Sequence, residues 1–426
     1  MIIILSRLVF SVLLLSTLVI ATTAQASTYY VDRNLPGNDS NTGTSETTPF
    51  LTIQRCFNSV VAGDTCLVKN GTYAESVQLR ASGSVSLPIT IKNYPGHTPV
   101  VDGSSLSTTL NGININSDAS SPSQKISYIV LSGFEIRNFQ QAAIKFGNAD
   151  HVTIQNNYIH DIGQDAGNSG QGIYGWGIFI TIQANRIYNV GDGGNINEHG
   201  MYLEGSNYVI VNNLIYYMGA FGIQCKADNY TNHTNFYPSA AYSAFSNALI
   251  VNNTIAYSRT AGAMNQWIEE ANATIANNTI SNNIFYENAR ISGSASGIRM
   301  YCNGTCPTNL TVSHNISYAT SGVRTFIMSD GCTSCTFSNN CPSTNGGNCA
   351  TNPNMNNAPA TLSGSPDFHL TTQSTVAIDL GANFSSNAIT SDFAGVARPA
   401  GNGFDIGAYE FSSSIALVPP RNLKVQ

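Results

Sequence analysis

The chain has 426 residues, of which 42% are hydrophobic and only 10% charged, about half or less of the charged share usual in soluble domains. A net charge of −6 with no lysine- or arginine-rich run argues against a nucleic-acid partner, which would require a basic surface. Thirty-seven glycines against 15 prolines, with asparagine, serine and threonine in place of charge, point to many short turns and away from a helical bundle or a collagen-like rod.

At the start, Arg7 precedes an apolar stretch from Leu8 to Ile20, and Ala24-Gln25-Ala26 supplies small residues for cleavage. Residues 1–26 therefore read as a secretory signal. A membrane anchor is the weaker reading, because about 13 apolar residues fall short of the roughly 20 needed to span a bilayer. Export is expected, with no membrane association once the signal is removed. The nine cysteines fit an oxidising compartment, and eight fall into close pairs in sequence: Cys56 with Cys66, Cys302 with Cys306, Cys332 with Cys335, and Cys341 with Cys349. Structural disulfides are the expectation. The Cys-Thr-Ser-Cys at 332–335 also fits half a zinc site or a redox motif, but no second such pair or paired histidines follow at zinc spacing. Cys225 is left over.

From Val152 onward the chain repeats itself. VTIQNNYIHDIG, ITIQANRIYNVG, YVIVNNLIYYMG, LIVNNTIAYS, SNNIFYEN and VSHNISYA share the template apolar, any, Asn, any, apolar, with its asparagine at Asn157, Asn185, Asn213, Asn253, Asn283 and Asn315. The spacing of 28, 28, 40, 30 and 32 residues describes a solenoid with loops of varying length. Apolar residues alternate within each unit, as at Val152 and Ile154 or Val209 and Val211, so the units are strands. Three short strands per turn, with a bend at an asparagine that tolerates left-handed angles, describe an all-β, right-handed parallel β-helix. The asparagines are expected to bond from coil to coil, the alternative being N-glycosylation at Asn252-Asn253-Thr254 and Asn309-Leu310-Thr311.

Here the sequence resembles secreted β-helix proteins of the pectate-lyase-like superfamily. Residues 28–75 look like their opening segment, in which a short helix caps the coil stack; LPITIKNYPGHTPVVDG at 87–103 is similar to their first coil; NGFDIGAYEF at 402–411 resembles a closing strand. The resemblance implies an N-terminal cap and first strands over 27–86, the β-helix over 87–340, C-terminal coils and capping strands over 341–411, and a linker or tail over 412–426. It does not choose an activity, because such proteins include lyases, hydrolases, epimerases and proteins without known chemistry.

The segments preceding each asparagine unit (AIKFGN, GIYGWG, GMYLEG, GIQCKA, AMNQWI, GIRMYC, GVRTFI) form a second alignment. Their second and fourth places, among them Ile144, Phe146, Met201, Leu203, Ile223 and Cys225, point inward, which makes Cys225 a buried thiol. Their third and fifth places form two outward columns. One holds Lys145, Tyr174, Tyr202, Gln224, Asn265, Arg299 and Arg324; the other holds Trp176, Glu204, Lys226, Trp267 and Tyr301. Coils about 4.8 Å apart place Trp176 and Trp267 roughly 14 Å apart with Glu204 and Lys226 between them. Flat aromatic faces and hydrogen-bonding groups in this order suit an oligosaccharide or polysaccharide. The plainer reading is stacked aromatics and a surface ion pair. Long loops at 227–247 and 191–199 flank the face; the former carries Tyr230, His233, Phe236, Tyr237, Tyr242 and Phe245, and is either functional or a disordered insertion. His151, His160 and His314, in or beside repeat strands, read as structural.

Two chemistries compete. For β-elimination on a uronic-acid polymer, Lys226 or His199 is the candidate base, Arg299 the partner of the sugar carboxylate and Tyr202 the donor to the leaving oxygen. The family resemblance adds calcium as a possible cofactor, for which Asp192, Glu198, Glu204 and Asp228 are hard ligands, although the aspartate cluster of calcium-dependent pectate lyases is missing. For glycoside hydrolysis, Glu204 pairs with Glu198, Asp192 or Asp228. Basic residues on the groove of an acidic protein tilt the reading toward elimination on an anionic polymer. A noncatalytic, adhesin-like sugar binder needs the columns alone. A secreted monomer is expected in every case.

Overall fold

The computed structural model describes residues 25–106, 111–116, 125–164, 169–289, 295–320, 325–343, 347–358 and 366–412. Residues 1–24 of the expected 1–26 signal, Arg324 and nearly all of the 412–426 segment lie outside the described residues. Strands stack in parallel, each on its counterpart one coil later, from Thr28–Val31 on Thr65–Val68 to Thr311–Ser313 on Thr336–Ser338. Two faces of the coil join into one 21-stranded sheet, and a nine-stranded sheet closes the third. Among the described residues the antiparallel strand pair is Met355–Asn357 with Asp367–Leu370, near the C-terminal end. Stacking begins at Thr28, inside the segment read as a cap, because Val31, Cys66 and Val68 already turn inward.

The cap helix is one turn, Ile53–Phe57. Thr52 accepts from the Arg55 amide, while the Glu75 carboxylate accepts from the Ile53 and Gln54 amides, so the free N–H groups of its first turn are used. Cys56 and Cys66 join this helix to the first coils. The pairs 302–306, 332–335 and 341–349 are also bonded, and Cys225 is a buried free thiol.

The interior is filled by one apolar residue per coil at each register position, such as Ile154, Ile182, Ile210, Ile250, Ile280 and Val312. Beside this column runs the asparagine ladder. Each side-chain amide from Asn157 through Asn185, Asn213, Asn253, Asn283 and Asn315 to Asn340 donates to the carbonyl oxygen of the next at 2.9–3.1 Å. The left-handed residue is the one before each ladder asparagine: Asn156, Ala184, Asn212, Asn252, Asn282 and His314 all have φ between 52° and 57°. The bend therefore sits one position earlier than the template suggests, and the ladder residue itself turns inward.

Val209 and Val211 do not share the inward places of Val152 and Ile154; they stand in register with Thr181 and Gln183. Ile210 points into the core, and the two valines lie on the outer face, where Val251, Ile389 and Phe404 cover them. The covering segment is held by the bend asparagines: Asn212, Asn252 and Asn282 donate to Ser391, Asp405 and Ala382 carbonyls at 2.7–2.9 Å. The sequon asparagine Asn252 is thus fully buried, whereas Asn309 is exposed.

Candidate functional site

The two outward columns form in register. Lys145 pairs with Tyr174, Tyr174 with Tyr202, Tyr202 with Gln224, Gln224 with Asn265 and Asn265 with Arg299. Trp176 pairs with Glu204, Lys226 with Trp267 and Trp267 with Tyr301. Arg299 is followed by Met328, four residues beyond the place assigned to Arg324. The inward residues Ile144, Phe146, Met201, Leu203, Ile223 and Cys225 are all fully buried.

On this face lies a groove made of two adjoining clefts that share Asn197 and Trp267. The larger, about 490 Å³, is lined by Gln141, Ser169, Gln171, Tyr174, Tyr202 and Glu269. The smaller, about 240 Å³, is lined by Ile196, His199, Phe221, Gln224, Asn265, Arg299 and Tyr301. Lys145 lies over the Tyr174 ring at 5.4 Å and Arg299 over Tyr301 at 5.5 Å. Burial raises the pKa of both Tyr174 and Tyr202, so the two rings face the groove as neutral phenols.

Glu204 is not on the open surface. The 227–247 segment carries a 3-10 turn at Tyr230–Asn232 and a short helix at Ala240–Ser243. It folds across the Glu204 end of the columns, where the Tyr237 hydroxyl lies within hydrogen-bond reach of both Glu204 and Asp228. Beneath this cover Glu204 is 5% exposed. Trp176 is covered too: Phe236 packs on it at 4.6 Å between centroids, and Trp176 in turn rests over Gly147, where any side chain would collide with the indole. The sugar platform expected at Trp176 is therefore occupied by the protein's own ring, and Trp267 is the tryptophan that faces the groove.

Lys226 sits among three carboxylates: Glu269 at 2.5 Å, Asp228 at 3.2 Å and Glu204 at 3.4 Å. Burial alone would depress its pKa, but Glu204, Glu269 and Asp228 outweigh it and hold the ammonium charged. That removes Lys226 as a base near neutrality. His199 is also corrected. Burial pushes it down to about 3, and its Nδ1 accepts from the Phe221 amide at 3.3 Å. The neutral ring thus keeps its proton on Nε2 and is a donor. A residue that the sequence reading missed, Glu269, reaches the groove from the place after Trp267 and Ile268 in the same alternation. Two further outward places, Gln224 and Asn265, are buried by their neighbours in the column and bonded to each other at 2.9 Å.

Of the proposed calcium ligands, Glu204 and Asp228 come together, but on the Lys226 ammonium and under Tyr237, and Glu198 stands apart from them. Glu198 and Glu204 flank or occupy the strand His199–Ser206 six residues apart, roughly 20 Å at strand rise. Glu198 is turned back to accept from the Gly193 amide at 2.7 Å. The same separation rules out Glu198 with Glu204 as a hydrolytic pair. Asp228, His233 and Glu270 bring ligand atoms within 4.8 Å of one another, but the Lys226 ammonium already supplies the positive charge at Asp228, and His233 is bonded to Glu270 at 3.0 Å. These residues do not fit a calcium ion.

Burial pushes the Glu204 carboxyl up to about 7 from an ordinary 4.5. Such a group stabilises the fold below its unfolded pKa, and that contribution is lost as pH rises through the folded value. Wild-type stability relative to Glu204→Gln should therefore fall between about pH 4.5 and 7. Melting curves of both proteins across that range test this; parallel curves would show that Glu204 does not titrate there.

Residues 29–174 match a family model described as the Pel9A-like, right-handed beta helix region. The match covers about a third of the chain, and the fold it describes, a right-handed parallel β-helix, is the fold seen here. The chain is 30% identical over 141 residues to the uncharacterized protein YwoF of Bacillus subtilis (strain 168), a match that covers 31% of this chain and 28% of that protein. The β-helix thus spans less than a third of the length of the curated relative it matches. Among solved structures, the crystal structure of pectate lyase Pel9A superposes with a TM-score of 0.53 at 16% identity, covering 91% of this β-helix and 97% of that chain. A rhamnogalacturonan lyase gives 0.55 at 15%, covering 82% and 97%, and a glycoside hydrolase 0.50 at 9%, covering 74% and 96%. At these identities the likeness is one of fold, shared by lyases and hydrolases alike. No described helix of the β-helix is long and apolar enough to cross a membrane.

Proposed function

We propose that this protein is an exported polysaccharide lyase whose groove holds a uronic-acid-containing polymer and cleaves it by β-elimination. The observation that carries this reading is the charge on the groove. Among the described residues that line it, Glu269 is the one carboxylate and Arg299 the one cation. Hydrolysis requires two carboxyl groups flanking one bond, and the other acids near the face, Glu204 and Asp228, are sealed under Tyr237. Elimination requires one base, one acid and a positive environment for the sugar carboxylate.

In this reading Glu269 takes the proton from C5 as the C4–C5 double bond forms, and the bond from C4 to the leaving oxygen breaks. Tyr202, held as a neutral phenol, gives that oxygen its proton. Lys226 acts through Glu269 as a positioning residue: its ammonium fixes the carboxylate at 2.5 Å. Trp267 offers its face to a sugar ring between the acid–base end and the Arg299 end.

Incubation with a panel of acidic and neutral polysaccharides, following unsaturated-uronate absorbance and reducing ends together, tests the reading. New absorbance with reducing ends is expected, and Trp267→Ala should weaken polymer binding by about tenfold. Reducing ends without absorbance would mean hydrolysis; binding with neither would leave a noncatalytic sugar binder.

A further inference from the structure

The segment over Glu204 closes on a set of oxygens that is one hydrogen short. Tyr237, 3% exposed, brings its hydroxyl within hydrogen-bond reach of Glu204 Oε2 and, at 2.9 Å, of Asp228 Oδ2. A phenol has one hydrogen and donates it once. With both carboxyl groups ionised, one of the two contacts would set oxygen against oxygen with no hydrogen between them, in a place shut off from water. The closed segment therefore holds a second hydrogen. Charge leads to the same count. Lys226 is the cation of this cluster and already faces Glu269, Asp228 and Glu204 at 2.5, 3.2 and 3.4 Å, so three ionised carboxylates would outnumber it beneath the segment.

The second hydrogen belongs to Glu204, whose carboxyl burial pushes up to about 7. Its Oε1 then faces Lys226 as a carbonyl acceptor, its Oε2 donates to the Tyr237 oxygen, and Tyr237 donates onward to Asp228. The other groups that face Glu204, the phenols of Tyr174, Tyr202 and Tyr208, are pushed above their ordinary range and stay neutral. At the base of the segment His233, edge-on to the Tyr237 ring at 6.1 Å, is paired with Glu270 at 3.0 Å and is the other ionisable contact of the cover. What the closed segment hides is Trp176: Phe236 rests on its ring, and its Nε1 is buried with no hydrogen-bond partner among the described residues. That group gains water when the segment lifts.

We propose that Tyr237 and Glu204 form a proton-dependent latch, by which the 228–244 segment lies closed over Trp176 while Glu204 is protonated and lifts from it once Glu204 ionises. With the segment open, Glu204 returns to the ordinary carboxyl range, so the ratio of closed to open falls about tenfold per pH unit between about 4.5 and about 7 and levels off above. Acrylamide quenching of Trp176 fluorescence reports the segment, read in a Trp267→Phe background that leaves one of the two tryptophans. Quenching should rise about threefold or more from about pH 4.5 to about pH 8, with near-UV dichroism unchanged. Glu204→Gln, whose amide keeps its hydrogens at every pH, should stay shielded throughout, and Tyr237→Phe should flatten the response. Equal quenching at both ends of the range, or a rise that appears only as near-UV dichroism is lost, overturns the latch. So does a rise that survives in Glu204→Gln, which would assign the response to His233 and Glu270.

Discussion

Replacing Glu269 by glutamine should lower the rate of unsaturated-product formation by about 10²–10⁴, the range typical of losing a positioned acid or base. Affinity for the polymer should stay within a few-fold, because the base acts in the transition state while Trp267 and the Arg299 cleft supply ground-state contact. Single-turnover absorbance with binding measured separately decides the matter. Lys226→Arg should keep much of the rate, whereas Lys226→Met should not, since the role assigned to Lys226 is to hold Glu269. Full activity in Glu269→Gln would move the base elsewhere, and with it the argument from a single groove carboxylate.

Replacing Arg398 by methionine should destabilise the protein by about 3–5 kcal/mol, the cost of leaving a buried charge without its partner. The side chains of Arg398 and Glu410 are both fully buried and paired. Arg398 also donates to the Asn212 side chain at 3.1 Å and the Gly407 carbonyl at 2.8 Å, while Glu410 accepts from the Ala400 and Asp405 amides. This cluster ties the 366–412 segment to the coil stack. A lower denaturation midpoint and faster proteolysis within that segment are expected; an unchanged midpoint and proteolytic pattern would show that the pair is dispensable.

Much of this was legible in the sequence because a β-helix writes its geometry as a period. One asparagine per coil marked the ladder, and strict alternation put Tyr174, Tyr202, Gln224, Asn265 and Arg299 in one column. Places within a unit were less legible: Val209 and Val211 stand one position off the inward places of Val152 and Ile154 and so face outward, and the place after Arg299 went to Met328, four residues on from Arg324. What alternation cannot express is what a loop lays on top of a strand. Glu204 and Trp176 occupy outward places, yet Tyr237 and Phe236 close over them, and those contacts join residues 33 or more positions apart with no repeat to announce them. Protonation was hidden for the same reason. His199 as a base and Lys226 as a base are reasonable for exposed side chains; burial in one case and three carboxylates in the other reverse them.

The asparagine ladder has a consequence for how such a chain can vary. Each rung fixes its coil to the next from inside, at one residue, and is indifferent to how much chain separates the rungs: Asn213 meets Asn253 at 2.9 Å across 40 residues as closely as Asn157 meets Asn185 across 28. Insertions are thereby uncoupled from the coordinates of the groove floor. The longest coil carries the segment that shutters Glu204 and Trp176 without displacing Gln224 or Lys226 from their columns. Loops on this frame are interchangeable covers over a fixed row of anchor points, so exchanging the 228–244 segment for a shorter one would bare Glu204 and Trp176 and widen the open groove on the two coils that Tyr174 and Tyr202 already line, while its existing floor stayed where it is.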